Sequence, residues 1–484
     1  MSSKQLPLIL LFVILAFCGS LPLRAQTNNV RSQIVYSTNE LNTYTDTTAL
    51  FTIKDIIIEG NQKTKERVIL RELPFRVNEQ YSLSALIDKF AVARKQLMNS
   101  SLFQDVVVSL NTTQGFDAAV HVSVQERWYI FPIPFIKVVD QNLQQWVAND
   151  KMDMGKVKYG IKTTFKNFTG RNDRMSLNIT SGFTKEVSFR YEGLPLDKKL
   201  HWSTSLAVWY GQNRDFQYAT VDHKALAYRN NENFVHNFFR SYAEVSYRPA
   251  IYTRHSFGVG YVDERISDTL LNIHRQFHLP SRHMRYPEFT YRFQYFNADF
   301  IPYPTKGYVA DVSLTRKGIN SEVDMWQFTA RTSASWPLND KYFFNVRATG
   351  MLKLPFEQPY VNQRFLGNDM FMQGYEDYEI DGVAGGFTKL TFSRKLLQTA
   401  LHIPSNRIKK LNSIPIKMYG KVYGNAGYVY SDKVDPTNVL NNRWLYSGGV
   451  GLDIVLFYDL ALKLEWSWNH LRQNGVYLHD KRYL

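Results

Sequence analysis

The chain has 484 residues, 58 Lys and Arg against 43 Asp and Glu, a formal net charge of +15, one cysteine and a negative mean hydropathy. A single cysteine excludes an internal disulfide, and basic residues scattered among acidic ones, without a run, argue against a nucleic-acid tract. After residue 25 no apolar run approaches the roughly 20 residues of a spanning helix, yet aromatic residues make up 15% of the chain. The remaining way to satisfy every backbone group in lipid is a closed β-barrel.

In chain order, residues 1–25 read as an export signal: Lys4, the run LPLILLFVILAF, and Leu23 and Ala25 at a signal-peptidase site. Cys18 is no lipid anchor, because Phe17 stands where an attachment site takes a small residue. Residues 26–49 form a flexible N-terminal segment. Residues 50–126 carry mixed periodicity. FTIKDIIIEGN is a strand closed by a Gly-Asn turn, and KTKERVILREL has helical spacing. A second helix places Leu83, Leu86, Ile87, Phe90 and Leu97 on one face, and the strands DVVVSLNTT and DAAVHVSVQE follow. This is one small α+β domain. Residues 127–157 read as a junction.

From 158 to 484 the helical period disappears and short alternating segments recur. Sixteen are counted, from KYGIKTTFKNF through KALAYRN as the fifth to GVYLHDKRYL as the last. An even number suits a single-chain barrel. Leu460, Leu462, Leu464, Trp466 and Trp468 share one face, and Ala461, Lys463, Glu465 and Ser467 share the other, as lipid and lumen sides would. The stretch RFLGNDMFMQGYEDYEIDG, in a connection spanning about 354–381, is too long for a hairpin and too aromatic for a solvated linker, so it packs against something.

No nucleophile motif, zincin helix or phosphate loop is present, so no enzyme, cofactor or metal site is expected. Gly448-Gly449-Val450-Gly451 sits within a strand. His274, His278 and His283 lack the spacing of a defined metal site.

The first region resembles a POTRA domain of the BamA/TamA superfamily. The resemblance rests on Ile56-x-Ile58-x-Gly60-Asn61, Ser101-Leu102-Phe103-x-x-Val106 and Val122-x-Val124-x-Glu126. It continues through the junction Glu126-Arg127-Trp128-Tyr129 with Pro132 and Pro134. Asn167 to Asn172 looks like a first external hairpin, and Tyr303 to Gly307 like a periplasmic turn. It implies a periplasmic POTRA domain followed by a transmembrane antiparallel β-barrel of 16 strands in the bacterial outer membrane, with the long connection as the sixth external loop. In the superfamily that loop carries Arg-Gly-Tyr or Arg-Gly-Phe and meets an acidic Asp-x-Gly position on the thirteenth strand. Here the corresponding residues are Gln373, Gly374 and Tyr375, followed by Glu376, and Asn425 with Gly427. Two amides can pair as neutral donor and acceptor where a lone buried charge could not.

The resemblance further implies an accessory assembly factor that inserts outer-membrane proteins. Client strands would add to a POTRA sheet edge, with Val106, Val107 and Val108 or Val120, Val122 and Val124 as candidates. Insertion would use a weak seam between the first and last strands, with Tyr159 and Ile161 on one side and Gly475 and Tyr477 on the other. Asp480, Lys481 and Arg482 suit mid-membrane pairing poorly. The alternatives are a two-partner-type secretion channel and a passive structural barrel. The expected partners are outer-membrane lipid and lipopolysaccharide, unfolded outer-membrane or secreted clients and periplasmic accessory proteins, with no nucleic acid.

Overall fold

The computed structural model describes residues 49–139, 157–268, 282–319, 323–367, 370–402, 413–456 and 460–479. Residues 1–48, on which the expected export signal, Cys18 and the N-terminal segment fall, and His274, His278 and Asp480 to Leu484 lie outside the described residues.

The first domain runs β1 (Leu50–Glu59), α1 (Glu66–Glu72), β2 (Gln80–Ser82), α2 (Leu83–Asn99), β3 (Phe103–Gln114) and β4 (Asp117–Glu126). Its sheet has the order β2-β1-β4-β3, with β1 and β4 parallel. Ser82 caps α2 by accepting the Ala85 N–H at 3.4 Å. From there Leu86, Phe90, Ala93 and Leu97 recur at helical spacing and bury against Ile53, Ile69, Val106, Val120 and Val122. Gly60 turns the chain out of β1 at φ +87°, and a Cβ there would lie 1.9 Å from the Val124 carbonyl oxygen, so only glycine fits.

The second region is one antiparallel sheet of sixteen strands in chain order, interrupted only by an inserted hairpin. The first five strands are β5 (Ile130–Val138), β6 (Val157–Lys166), β7 (Arg174–Gly182), β8 (Thr184–Pro195) and β9 (Trp202–Asn213). The separate hairpin is β10 (Asp215–Val221) and β11 (Lys224–Arg229). The sheet resumes with β12 (His236–Tyr247), β13 (Thr253–Ile266), β14 (His283–Ala298), β15 (Gly307–Lys317), β16 (Met325–Pro337) and β17 (Tyr342–Leu354). After the one-turn α3 (Tyr360–Gln363) come β18 (Ala384–His402), β19 (Ser413–Tyr430), β20 (Trp444–Val455), β21 (Ala461–Asn469) and β22 (Asn474–His479). Tyr303, in the turn after β14, donates to Asp453 on β20 at 2.9 Å, a contact that a flat sheet could not make. The sheet is curled into a barrel. Along β21, Ala461, Lys463, Glu465, Ser467 and Asn469 are buried inward, while Leu464, Trp466 and Trp468 face out, as their alternation requires.

The count of sixteen holds, but its membership changes. KALAYRN belongs to the inserted hairpin, and the junction supplies the true first strand, β5. Pro132 and Pro134 disguise that strand, since a proline has no N–H to donate to a ladder and two of them mid-strand argue against pairing on both sides. Tyr159 and Ile161 are therefore on the second strand, β6, and the terminal strands are β5 and β22. Moving the count by one strand also inverts the first turn. Asn167 donates to Thr64 at 2.9 Å and Gly170 accepts from the Lys65 N–H at 2.9 Å, so this turn is at the end occupied by the small domain, not the far end.

Candidate functional site: the sixth loop, the terminal strands and the domain edge

The connection between β17 and β18 folds back on itself, with Leu366 and Ile380 exchanging two backbone hydrogen bonds of 2.9 Å. Met372, Tyr375 and Ile380 are buried against Met351, Phe387, Val429 and Leu445 of the barrel wall. The loop is packed, as its aromatic content predicts.

Gln373 reaches the wall, but not at Asn425. Its Nε2 donates to Glu465 Oε1 at 2.9 Å, whereas Asn425 Nδ2 donates to Ser447 Oγ at 3.0 Å, and no hydrogen bond joins the two amides. Glu465 is shared: Lys421 Nζ lies 2.5 Å from one oxygen and His479 Nδ1 2.7 Å from the other. Lys421 also meets Asp453 at 2.6 Å, so β19, β20, β21 and β22 are joined through one charge network. A buried carboxylate surrounded by donors accepts a neutral amide without requiring a further cation.

Gly374 is required on two counts. Its φ is +89°, and a Cβ would stand 2.9 Å from Ser447 Cβ and 3.2 Å from the Trp468 carbonyl oxygen. Its N–H donates to Glu376 Oε2 at 2.7 Å and its carbonyl accepts from Asn469 Nδ2 at 2.8 Å. Tyr375 donates to the Tyr446 carbonyl at 2.9 Å and lies against His470. Gly427 leaves room for Met372, whose sulfur would be 3.2 Å from an added Cβ. The loop also grips the last strand: Phe371 stacks on His479 with centroids 4.4 Å apart, and Tyr477 donates to Asp377 at 3.2 Å. The charge network was only half visible beforehand. Alternation turned Glu465 inward, but nothing in spacing joined it to Gln373.

The terminal strands have unequal edges. The Lys166 N–H bonds the Tyr129 carbonyl at 2.7 Å, and the register runs unbroken to Val138 opposite Val157. Odd residues of β5 therefore direct their backbone groups to β6, and even residues direct theirs outward. Pro132 and Pro134 both stand on the outward edge, which lacks two donors. Among the described residues β5 and β22 do not pair. Gly475 and Tyr477 do lie on terminal strand β22.

In the small domain, β3 is an edge and β4 is not. Val120, Val122 and Val124 lie on β4, paired with β1 on one side and β3 on the other, which removes them as an edge. Val106, Val107 and Val108 lie on β3, where Val106 and Val108 face the core and Val107 is exposed.

The domain is seated on the barrel's near end. Arg248 grips Glu72 with two bonds, of 2.6 and 2.8 Å. Lys95 donates to Asn297 at 3.0 Å, Asn99 to the Ala298 carbonyl at 2.9 Å, and Leu200 is buried in the domain core. Burial pushes the Glu72 carboxyl up, but Arg248 and then Arg71 outweigh it and hold it below its ordinary value.

A small α+β domain seated on a sixteen-stranded barrel, with a long loop docked inside, defines an outer-membrane protein of the POTRA-and-barrel class. Residues 51–127 match the POTRA family model, described as surface antigen variable number repeat, and residues 167–456 match the Omp85 superfamily domain. The chain belongs to the Omp85 superfamily. Among solved structures it is similar to CdiB from Escherichia coli, with 12% identity over 89% of this chain and 74% of that one and a TM-score of 0.52. It is also similar to BamA from Haemophilus ducreyi lacking POTRA domains 1-3, with 16% identity over 89% and 83% and a TM-score of 0.48. Comparison with curated protein sequences gives no match.

Proposed function

We propose that this protein assembles other proteins into the bacterial outer membrane, with its POTRA domain in the periplasm, as an accessory relative of BamA and TamA. The observation that carries the reading is the edge of β5. An ordinary barrel closes by a full ladder between its first and last strands, whereas here Pro132 and Pro134 leave the outward edge of β5 short of two donors, and among the described residues no ladder joins β5 to β22. Such a seam opens at low cost, and a client hairpin leaves through it into lipid. The client arrives by adding a strand to β3 of the POTRA domain, whose outer side has no partner strand among the described residues. The docked sixth loop steadies β22 from inside, through Phe371 against His479 and Asp377 against Tyr477. Client proteins, lipid and lipopolysaccharide are the partners of this reading.

A two-partner-type secretion channel is the second reading, favoured by the fold likeness to CdiB. Export through the lumen needs no open seam, which separates the two experimentally. Replacing both prolines with valine restores the missing donors and zips the seam. Assembly predicts that this variant is more resistant to heat and fails to restore a depleted outer-membrane protein inventory in a deletion strain. If it complements fully, and deletion removes one secreted protein only, the assembly reading is wrong and export stands.

A further inference from the structure

The hairpin β10–β11 is a sheet of its own at the far end of the barrel, and neither assembly nor export calls for it. Its turn is Asp222-His223, with φ of 49° and 55° and Val221 paired with Lys224. Both central residues are in the left-handed region, which among residues other than glycine Asn, Asp and His enter most readily. His223 is only 2% exposed. A polar ring so buried is held by what it bonds.

Four bonds hold it. The His223 N–H donates to Asn438 Oδ1 at 2.8 Å, and its carbonyl accepts from the Glu379 N–H at 2.9 Å. The ring Nε2 lies 2.9 Å from the Leu440 N–H, and Nδ1 lies 3.3 Å from the Glu379 carbonyl. An amide N–H can only donate and a carbonyl can only accept. The ring is therefore neutral, with its proton on Nδ1. Around it the Asp222 N–H donates to Thr437 Oγ1 at 2.9 Å, and Asn438 Nδ2 donates to the Thr220 carbonyl at 2.7 Å. His223 thus joins three elements: its ring ties the hairpin to the sixth loop at Glu379 and to the β19–β20 connection at Leu440, and its backbone N–H adds Asn438.

We propose that His223 is a pH-operated latch, which holds the β10–β11 hairpin as a lid over the far mouth of the barrel while neutral and releases it when protonated. A second ring proton on Nε2 would point at the Leu440 N–H, replacing a hydrogen bond with two opposed donors. The groups that face the ring are Asp222 on its own hairpin, Arg443 on the β19–β20 connection, and Glu379 and Tyr378 on the sixth loop. Burial lowers the imidazole from its ordinary value; the Glu379 carbonyl and Asp222 oppose this and Arg443 adds to it. The closed lid binds fewer protons than the open one. Closure is therefore at full strength above about pH 6.5 and is lost as pH falls through the lowered value. The device is independent of whether the barrel assembles or exports.

Spin labels on Lys224→Cys and Asp435→Cys, in a Cys18→Ser full-length background in lipid vesicles, report the distance between the hairpin and the β19–β20 connection. Wild-type His223 should give one narrow distance at about pH 7.5 and a population at longer distance, raised several-fold, at about pH 5. His223→Gln, neutral yet able to donate and accept, should stay closed at both. His223→Ala should be open at both, with heat-dependent gel migration checking that each barrel is folded. An unchanged wild-type distance, the same acid opening in His223→Gln, or a closed His223→Ala would each overturn the latch.

Discussion

At the residue scale, the charge network decides what substitutions do. Gln373 donates to a carboxylate that Lys421 and His479 also meet, and Gln373→Arg would replace that neutral donor with a charge-assisted one. It should protect the loop from added protease better than wild type. Gln373→Leu removes a hydrogen bond to a charged group and should cost about 1.5 to 3 kcal/mol in heat stability. Combining Gln373→Leu with Glu465→Gln should show a larger coupling than combining Gln373→Leu with Asn425→Leu, because Gln373 bonds Glu465 and not Asn425; the reverse order would return Asn425 to the role of direct partner. In the small domain Glu72 makes a second forecast. Its carboxyl is held below its ordinary value, so its contribution to docking is full above about pH 4.3 and fades as pH falls through the lowered value. Glu72→Gln leaves Arg248 and Arg71 unbalanced and should weaken docking by about 3 kcal/mol or more, read as new proteolysis between domain and barrel.

At the element scale, edges and turns matter more than side chains. Proline at an outward-donating position of β3 should weaken client crosslinking while the domain stays folded, whereas Val122→Pro on interior β4 should unfold it, as circular dichroism would show. Gly374→Ala combines a positive φ with a Cβ inside the wall, and should release the loop as Gln373→Leu does. The elements most legible beforehand were those with unbroken periodicity: α2, with Leu86, Phe90 and Leu97 on its buried face, and β21, with its alternating Lys and Trp. The least legible was β5. Its two prolines argue against a strand until one knows that a terminal strand leaves one edge free, and that information is not local.

At the scale of the whole molecule, a barrel with every interior strand paired on both sides should resist detergent, so that unheated protein migrates faster on gels than boiled protein. Loss of that shift, with recovery in soluble material, would count against the barrel. The domain seat spreads over the turns after β6, β8, β12 and β14, so several substitutions should be needed to free it completely.

Period and length determined, from sequence alone, that a small α+β domain precedes an even-numbered barrel and that the connection around Gln373 must pack. Both are consequences of where apolar side chains fall along a single strand or helix. Only the tertiary structure decided which strand is first, which POTRA strand is an edge, and which wall residue receives Gln373. Val106 and Val122 have the same local pattern, and Asn425 and Glu465 both point inward; what separates them is a neighbour far along the chain. The same holds for His223, a lone histidine in a turn until Glu379 and Leu440 arrive from two other loops to fix its proton.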